Sequence, residues 1–155
     1  MWQIPEKVSL ISGHAEGETE LSAFDKALLA AGVGEANLIK VSSILPRGVK
    51  FVALPEITPG ILLPAAFNFI VSNRPGEVIS ATVAIGLGQN PAESGVIVEH
   101  TVIGSAAVGE EKARRMVEEL FAARKRKLGE IRVVSSEHKV VKLGCALALA
   151  VFPPA

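Results

Sequence analysis

The residues with the clearest chemical potential are Ser42 and Ser43, two adjacent serines within the segment 37–46. A serine hydroxyl beside a distorted peptide can attack the carbonyl carbon that precedes it, and the resulting ester can eliminate to dehydroalanine. Hydrolysis then leaves an α-keto group on a new N-terminus. This chemistry needs a strained peptide and a donor for the oxyanion, and the side-chain amide of Asn37 is a candidate donor. On composition alone, adjacent serines in a strand usually have no chemical role.

Asp25 lies on the apolar face that we predict for the first helix. At about 100° per residue, Leu21, Phe24, Leu28 and Ala31 form a stripe that contains Asp25. A carboxylate that faces a core is costly unless a partner compensates it, so Asp25 at this position would need a partner. The alternative is that Asp25 lies at the edge of the stripe, in water or bonded to a nearby amide.

Glu99 interrupts the segment 95–103, which is otherwise typical of a buried strand. Burial there would raise the pKa of its carboxyl group and make Glu99 a candidate proton donor. The alternative is an edge strand on which Glu99 faces solvent.

Other residues that could do chemistry give weaker signals. His14, His100 and His138 lack the spacing of a metal site, and the single cysteine, Cys145, cannot complete a familiar zinc motif. We therefore expect no metal cofactor.

These residues belong to a chain that we predict to be mostly strand, with two helices. The helices are expected at residues 18–31, ending at Gly32-Val33-Gly34, and at residues 109–128. Several strands are apolar on both faces, which favours an α+β fold with two stacked sheets covered by helices. Turns containing proline or glycine separate the predicted strands, which are 8–12, 37–45, 49–54, 61–71, 78–87, 95–103, 131–135 and 144–152.

The composition is that of a compact globular chain. Its 155 residues suffice for one domain, and the high hydrophobic content of 49% indicates either a sheet covered on both faces or burial against other subunits. The 16 basic and 16 acidic side chains cancel and only 5% of residues are aromatic, which argues against nucleic-acid binding. No segment is apolar over the roughly 20 residues that cross a bilayer, and no signal peptide is evident. We expect a cytoplasmic protein that binds neither nucleic acid nor membranes.

The segment NLIKVSSILP, with Asp25 before it and GVIVEH after it, resembles the pyruvoyl-dependent arginine decarboxylases. The similarity continues through EGETELSAFDKALLAAGVG, PGEVISA and EHKVVKLGCALA, and so covers nearly the whole chain in order. It departs at His100, where the family leads us to expect an aromatic residue, and in a short N-terminal arm.

The resemblance implies a four-layer αββα sandwich that assembles as a trimer, with active sites between neighbouring subunits. It implies cleavage between Ser42 and Ser43, which would divide the single domain, residues 1–155, into a small chain of residues 1–42 and a large chain of residues 43–155. Ser43 would then become a covalent pyruvoyl cofactor at the head of the large chain.

The resemblance also implies a reaction, the conversion of L-arginine to agmatine and CO₂ through a Schiff base on the pyruvoyl group. Asp25 would bind the guanidinium group, Glu99 would protonate the substrate carbon, and Asn37 would act in processing and in the active site. Lysine or ornithine as substrate, and a scaffold protein that no longer processes, are the alternatives. The other positions that match the substrate site of the family are Leu28, Gly34, Ser42 and Ile44.

Overall fold

A computed structural model of the chain describes residues 2–155. Its elements, in chain order, are β1 (Lys7–Glu16), α1 (Glu20–Ala31), β2 (Asn37–Lys40), β3 (Ile44–Leu45), β4 (Lys50–Phe51), β5 (Leu62–Ser72), β6 (Val78–Gly88), β7 (Gly95–Ile103), α2 (Ala106–Ala123), β8 (Leu128–Lys139) and β9 (Gly144–Val151).

The strands form two sheets. The five-stranded sheet has the order β2-β5-β9-β1-β4, and the four-stranded sheet has the order β3-β7-β6-β8. The long pairings β1–β9, β5–β9, β6–β7 and β6–β8 are all antiparallel, whereas the short edge strands β2 and β4 pair in parallel. Because β2 and β3 are both edge strands, each sheet has an edge formed by residues near the serine pair.

Alternation along β9 shows how the layers pack. Its residues Ala146, Ala148 and Ala150 belong to the core between the two sheets, whereas Leu147 and Leu149 belong to the core beneath α1. Small side chains on one face and large ones on the other follow the two-residue period of a strand. Helix α2 covers the outer face of the four-stranded sheet. The predicted α+β class and the four-layer αββα sandwich are therefore confirmed.

Helix α1 ends as predicted but faces differently from our expectation. Gly32 caps it with φ 92°, a left-handed conformation that favours glycine. The buried face consists of Ala23, Ala27, Leu28 and Ala31, whereas Leu21 is 75% exposed. The predicted stripe containing Leu21 is wrong, because small alanines let the helix lie close to the sheet along a neighbouring line of residues. Asp25 is accordingly exposed in the single chain.

The predicted strand 37–45 is two strands in different sheets. β2 pairs with β5, and β3 pairs with β7, so residues 41–43 cross from one sheet to the other. Apolar residues recur on both sides of the serine pair because both halves are partly buried, each in its own sheet. We call residues 41–43 the crossover.

Other boundaries shift for local reasons. Helix α2 begins at Ala106 behind the N-cap Ser105, and it ends at Ala123 rather than residue 128. Lys125, at φ 54°, reverses the chain so that Leu128 already pairs with Gly88. The predicted strand 8–12 is longer in the structure, as β1, and the predicted strand 131–135 is longer, as β8. The predicted strand 49–54 is shorter, as β4.

Candidate active site

The crossover forms one wall of an open cleft at the edge of the sandwich. The cleft has a volume of about 530 Å³. Ser42 is exposed and Ser43 is half-buried, so the peptide that joins them is accessible from solvent. The cleft is lined by Lys40, Val41, Ser42, Ser43, Ile97, Val98, Glu99, Met116 and Leu120.

Ser43 is held in place through its backbone. The N–H of Ile97 donates to the carbonyl oxygen of Ser43 at 2.7 Å. Immediately after it, Ile44 pairs with Val96 and Leu45 with Gly95. The chain is therefore fixed on the C-terminal side of the serine pair, and it is fixed on the N-terminal side by the pairing of Lys40 with Ala65.

β3 pairs only with Gly95 and Val96 of β7. Glu99 lies three residues after Val96, where no strand within residues 2–155 pairs with this edge of β7. Its side chain is nevertheless only 20% exposed. Burial raises the pKa of the Glu99 carboxyl group, opposed by the nearby Lys40 ammonium group and by a hydrogen bond with the backbone of Phe67. Both sequence interpretations were partly right: the strand has a free edge at Glu99, and the carboxyl group is still largely removed from water.

Lys40 is the one cation lining this cleft among the described residues, and sequence reasoning missed it. Its Nζ lies 3.8 Å from Oε2 of Glu99 and 5.1 Å from the ring centre of Phe67. A single lysine within a predicted strand is usually a solvated surface residue. Its place two residues before Ser42 was the available signal.

A second group of predicted site residues lies away from the cleft in the single chain. The side-chain amide of Asn37 donates to the carbonyl oxygen of Gly60 at 3.0 Å. It stands at the opposite end of β2 from Lys40, roughly 10 Å away at the rise of a strand. Asn37 therefore does not serve the serine pair of its own chain in this structure.

The other residues of this group have structural neighbours that account for them. Leu28 is 7% exposed and packs in the core beneath α1. A side chain at Gly34 would collide with Leu29. Together with exposed Asp25, these positions form a surface around the C-terminal half of α1 and the loop that follows it. The structure does not bring that surface to the cleft.

Ile44 faces a different hollow on the other side of the crossover. This hollow is apolar, has a volume of about 380 Å³ and also includes Ser42. Ile44 itself is 45% exposed, and Trp2, which lines the same hollow, is 75% exposed. Large exposed apolar side chains around the crossover are typical of a surface that another chain covers.

His14 and His138 belong to a separate cluster, which lies at the end of β1 and includes Glu16. Nδ1 of His14 lies 2.9 Å from Nδ1 of His138, whose Nε2 lies 2.6 Å from Oε2 of Glu16. Burial raises the pKa of Glu16, but hydrogen bonds with His138 and with the backbone of residues 141–143 outweigh it and lower the pKa to about 2.

Residues 2–155 contain no group of three or more side chains with the arrangement of a metal site. Neither α1 nor α2 has the length and apolar character needed to cross a membrane.

The match to a family model decides the identity of the chain. Residues 7–155 match the model of the pyruvoyl-dependent arginine decarboxylases. The chain belongs to this family. A relative from Methanocaldococcus jannaschii with the same name is 42% identical over 149 residues, which cover 96% of this chain and 90% of the relative. A relative from Pyrococcus abyssi is 41% identical over 152 residues, which cover 97% and 96% of the two chains.

A solved structure of a pyruvoyl-dependent histidine decarboxylase has a related fold. It superposes with a TM-score of 0.54 at 14% sequence identity, covering 64% of this chain and 53% of that chain. The family membership confirms the resemblance on which the sequence interpretation rested. This family of decarboxylases depends on a pyruvoyl group, and the exposed serine pair of the crossover is a suitable precursor for it.

Proposed function

We propose that this chain is a self-processing arginine decarboxylase that cuts itself between Ser42 and Ser43. The observation that carries the proposal is the crossover: the Ser42–Ser43 peptide is accessible, is anchored on both sides and shares a cleft with a largely buried carboxyl group. Cleavage yields chains of residues 1–42 and 43–155, and Ser43 becomes the pyruvoyl group.

The pyruvoyl group supplies a ketone for the α-amine of the substrate and a conjugated carbonyl that accepts the electrons released with CO₂. Glu99 returns a proton to the α-carbon after CO₂ has left. Its low exposure favours the protonated form, which a donor needs. Lys40 faces the same carboxyl group and limits how far burial raises its pKa.

The guanidinium group of arginine needs a carboxylate, and in the cleft of a single chain Glu99 already has the role of proton donor. Asp25 supplies the second carboxylate from a neighbouring copy, in a trimer whose active sites lie between subunits. A planar guanidinium binds a carboxylate through two parallel hydrogen bonds. The apolar side chains exposed around the crossover support such an assembly. Leu28, Gly34 and Asn37 approach the neighbouring cleft with Asp25, and the trimer acts in the cytoplasm.

Release of CO₂ from L-arginine labelled in its carboxyl group tests the activity. Purified wild-type protein is expected to release label and form agmatine, whereas Ser43→Ala remains uncut and inactive. Wild-type protein that is fully cleaved but leaves arginine unchanged would contradict the assigned substrate.

Mixed assemblies test the shared site separately. Ser43→Ala and Asp25→Asn chains are co-expressed with different tags, and hybrids carrying both tags are isolated. If each site combines Ser43 of one copy with Asp25 of another, one of the three sites in every hybrid trimer is intact. If both residues serve the same copy, no site is intact and the hybrids show no more activity than Asp25→Asn alone.

A further inference from the structure

The hydrogen bond between Ile97 and Ser43 joins the predicted cleavage site to β7. The donor is the N–H of Ile97, the acceptor is the carbonyl oxygen of Ser43, and the two atoms are 2.7 Å apart. This length is at the short end of the range for N–H···O bonds. We propose that the backbone N–H of Ile97 is the oxyanion donor for the elimination step of self-processing. The inference rests on the proposed cleavage between Ser42 and Ser43.

The carbonyl that receives this hydrogen bond is not the one attacked in the first step. In that step the hydroxyl oxygen of Ser43 bonds to the carbonyl carbon of Ser42, and the Ser42–Ser43 C–N bond breaks. The hydroxyl proton passes to the nitrogen, which becomes the free amine of Ser43. The product is an ester, and the Ser43 carbonyl has taken no part.

The second step places charge on the Ser43 carbonyl. A base removes the proton from the α-carbon of Ser43, and the electron pair is shared with the adjacent carbonyl oxygen. That pair then forms the double bond between the α- and β-carbons, and the β-carbon–oxygen bond breaks to release the carboxylate of Ser42. Water hydrolyses the resulting enamine, through its imine tautomer, to the ketone and releases ammonia. Glu99 lines the same cleft, and its ionised form, which the nearby Lys40 favours, is the base for the α-proton.

The geometry favours the carbonyl oxygen of Ser43 as the place where this charge is stabilised. Ile97 is 1% exposed, and it is paired with Ile85 in β6. Its N–H therefore points at the oxygen from a rigid strand, away from water. A preorganised donor in such a setting stabilises developing charge more than a water molecule does.

The same N–H has a continuing role after processing. The carbonyl of Ser43 survives as the amide carbonyl next to the new ketone. The bond to Ile97 can hold this terminus in the cleft once the link to Ser42 is gone.

Replacing one backbone amide by an ester tests the inference directly. Isoleucic acid, the α-hydroxy analogue of isoleucine, introduced at position 97 by nonsense suppression, removes the N–H and retains the side chain. The control carries the valine analogue at position 98, whose N–H points to the opposite edge of the strand. Both are prepared as uncut precursor, and processing is followed by intact mass.

The Ile97 ester protein is expected to form the Ser42–Ser43 ester and then to eliminate about 10²–10³-fold more slowly than the control, the usual effect of losing one oxyanion donor. Hydroxylamine traps the accumulated ester as a 1–42 hydroxamate, whose mass distinguishes it from cleavage at the introduced ester. Elimination at the rate of the control overturns the inference, and so does failure to form the first ester in a folded protein. Failure of the wild-type precursor to cleave instead overturns the proposed function.

A second measurement needs no altered backbone. Wild-type protein labelled with ¹³C at serine carbonyls is compared with a Ser43→Ala protein and with a pyruvoyl amide in an aprotic solvent by difference infrared spectroscopy. The amide carbonyl of the processed terminus is expected at a lower frequency than the free amide, because the N–H of Ile97 polarises it. A frequency equal to that of the free amide overturns the inference.

Discussion

At the scale of single residues, Glu99 and Lys40 lie side by side in the cleft. The Glu99 side chain is only 20% exposed, whereas the Lys40 side chain beside it is 56% exposed. Burial raises the pKa of Glu99 whereas Lys40 lowers it. Glu99 was recognisable in the sequence because a carboxylate interrupts an apolar strand. Lys40 was not, since its role depends on a carboxylate from the other sheet.

Glu99→Gln is expected to lower kcat by about 10²–10⁴-fold, because it keeps the shape and removes the transferable proton. KM should change little. Turnover must be measured per pyruvoyl group, since processing takes place in the same cleft. A fully processed Glu99→Gln enzyme with the wild-type kcat would assign the proton donation to another group or to water.

Lys40→Met is expected to raise the pKa of Glu99 further, because burial then acts without the opposing charge. Protonated Glu99 would persist to higher pH, so the alkaline limb of the kcat–pH profile should move upward. Lys40→Arg keeps the positive charge and serves as the control, with a profile close to that of the wild type. An alkaline limb at the same pH in all three proteins would show that Lys40 does not influence the donor.

Asp25→Asn is expected to raise KM for arginine strongly and to leave cleavage intact. Removing one partner of a charge pair that becomes buried in a complex typically costs about 2–5 kcal/mol. Glu20→Gln, at the exposed start of the same helix, is the matched control and should bind arginine normally. Rates with arginine, lysine and ornithine test the choice of substrate. Unchanged arginine kinetics in processed Asp25→Asn would remove Asp25 from the site.

At the scale of elements, the sequence predicted nearly every strand and helix but not the crossover. A period of two marks a strand, and it does not reveal which sheet the strand joins. Apolar residues recur through 37–45 and no proline or glycine marks a turn there, so the segment was predicted as one strand. The change of sheet at residues 41–43 depends on long-range pairing with β5 and β7. That change exposes the serine peptide, so the feature most important for the site was the least visible in the sequence.

Glu16 joins three elements at the end of the sandwich remote from the crossover. It ends β1, contacts His138 of β8 and accepts hydrogen bonds from the backbone N–H groups of Lys142 and Leu143. Its pKa is lowered from 4.5 to about 2. A carboxyl group with a depressed pKa in the folded state stabilises that state above its unfolded pKa. This contribution is present above about pH 4.5 and is lost as the pH falls toward about 2.

Glu16→Gln is therefore expected to lower the free energy of unfolding at pH 7 and to flatten its dependence on pH between about 5 and 2. Urea unfolding at a series of pH values measures both effects. Glu18→Gln, an exposed carboxylate two residues away, should leave both unchanged. If the wild type and Glu16→Gln lose stability in parallel on acidification, the acid sensitivity arises elsewhere.

At the scale of the whole molecule, the αββα layers could be predicted because several strands are apolar on both faces. The arrangement of the site could not be predicted, because one chain does not bring all the predicted site residues together. The predicted residues divide into the cleft and the surface around α1. The proposed assembly would reunite them, and its geometry cannot be read from the sequence of one copy. The proposed cleavage also leaves the layers intact, because β1 of the small chain stays paired between β9 and β4 of the large chain. The two products should remain one folded body.

Intact mass of the purified wild-type protein under denaturing conditions tests the central claim most directly. Two chains are expected, residues 1–42 with a free carboxylate and residues 43–155 headed by a pyruvoyl group that blocks N-terminal sequencing. The same sample should elute as one species under native conditions, and Ser43→Ala should give a single uncut chain. A wild-type protein that remains one chain of 155 residues after prolonged incubation would contradict the account.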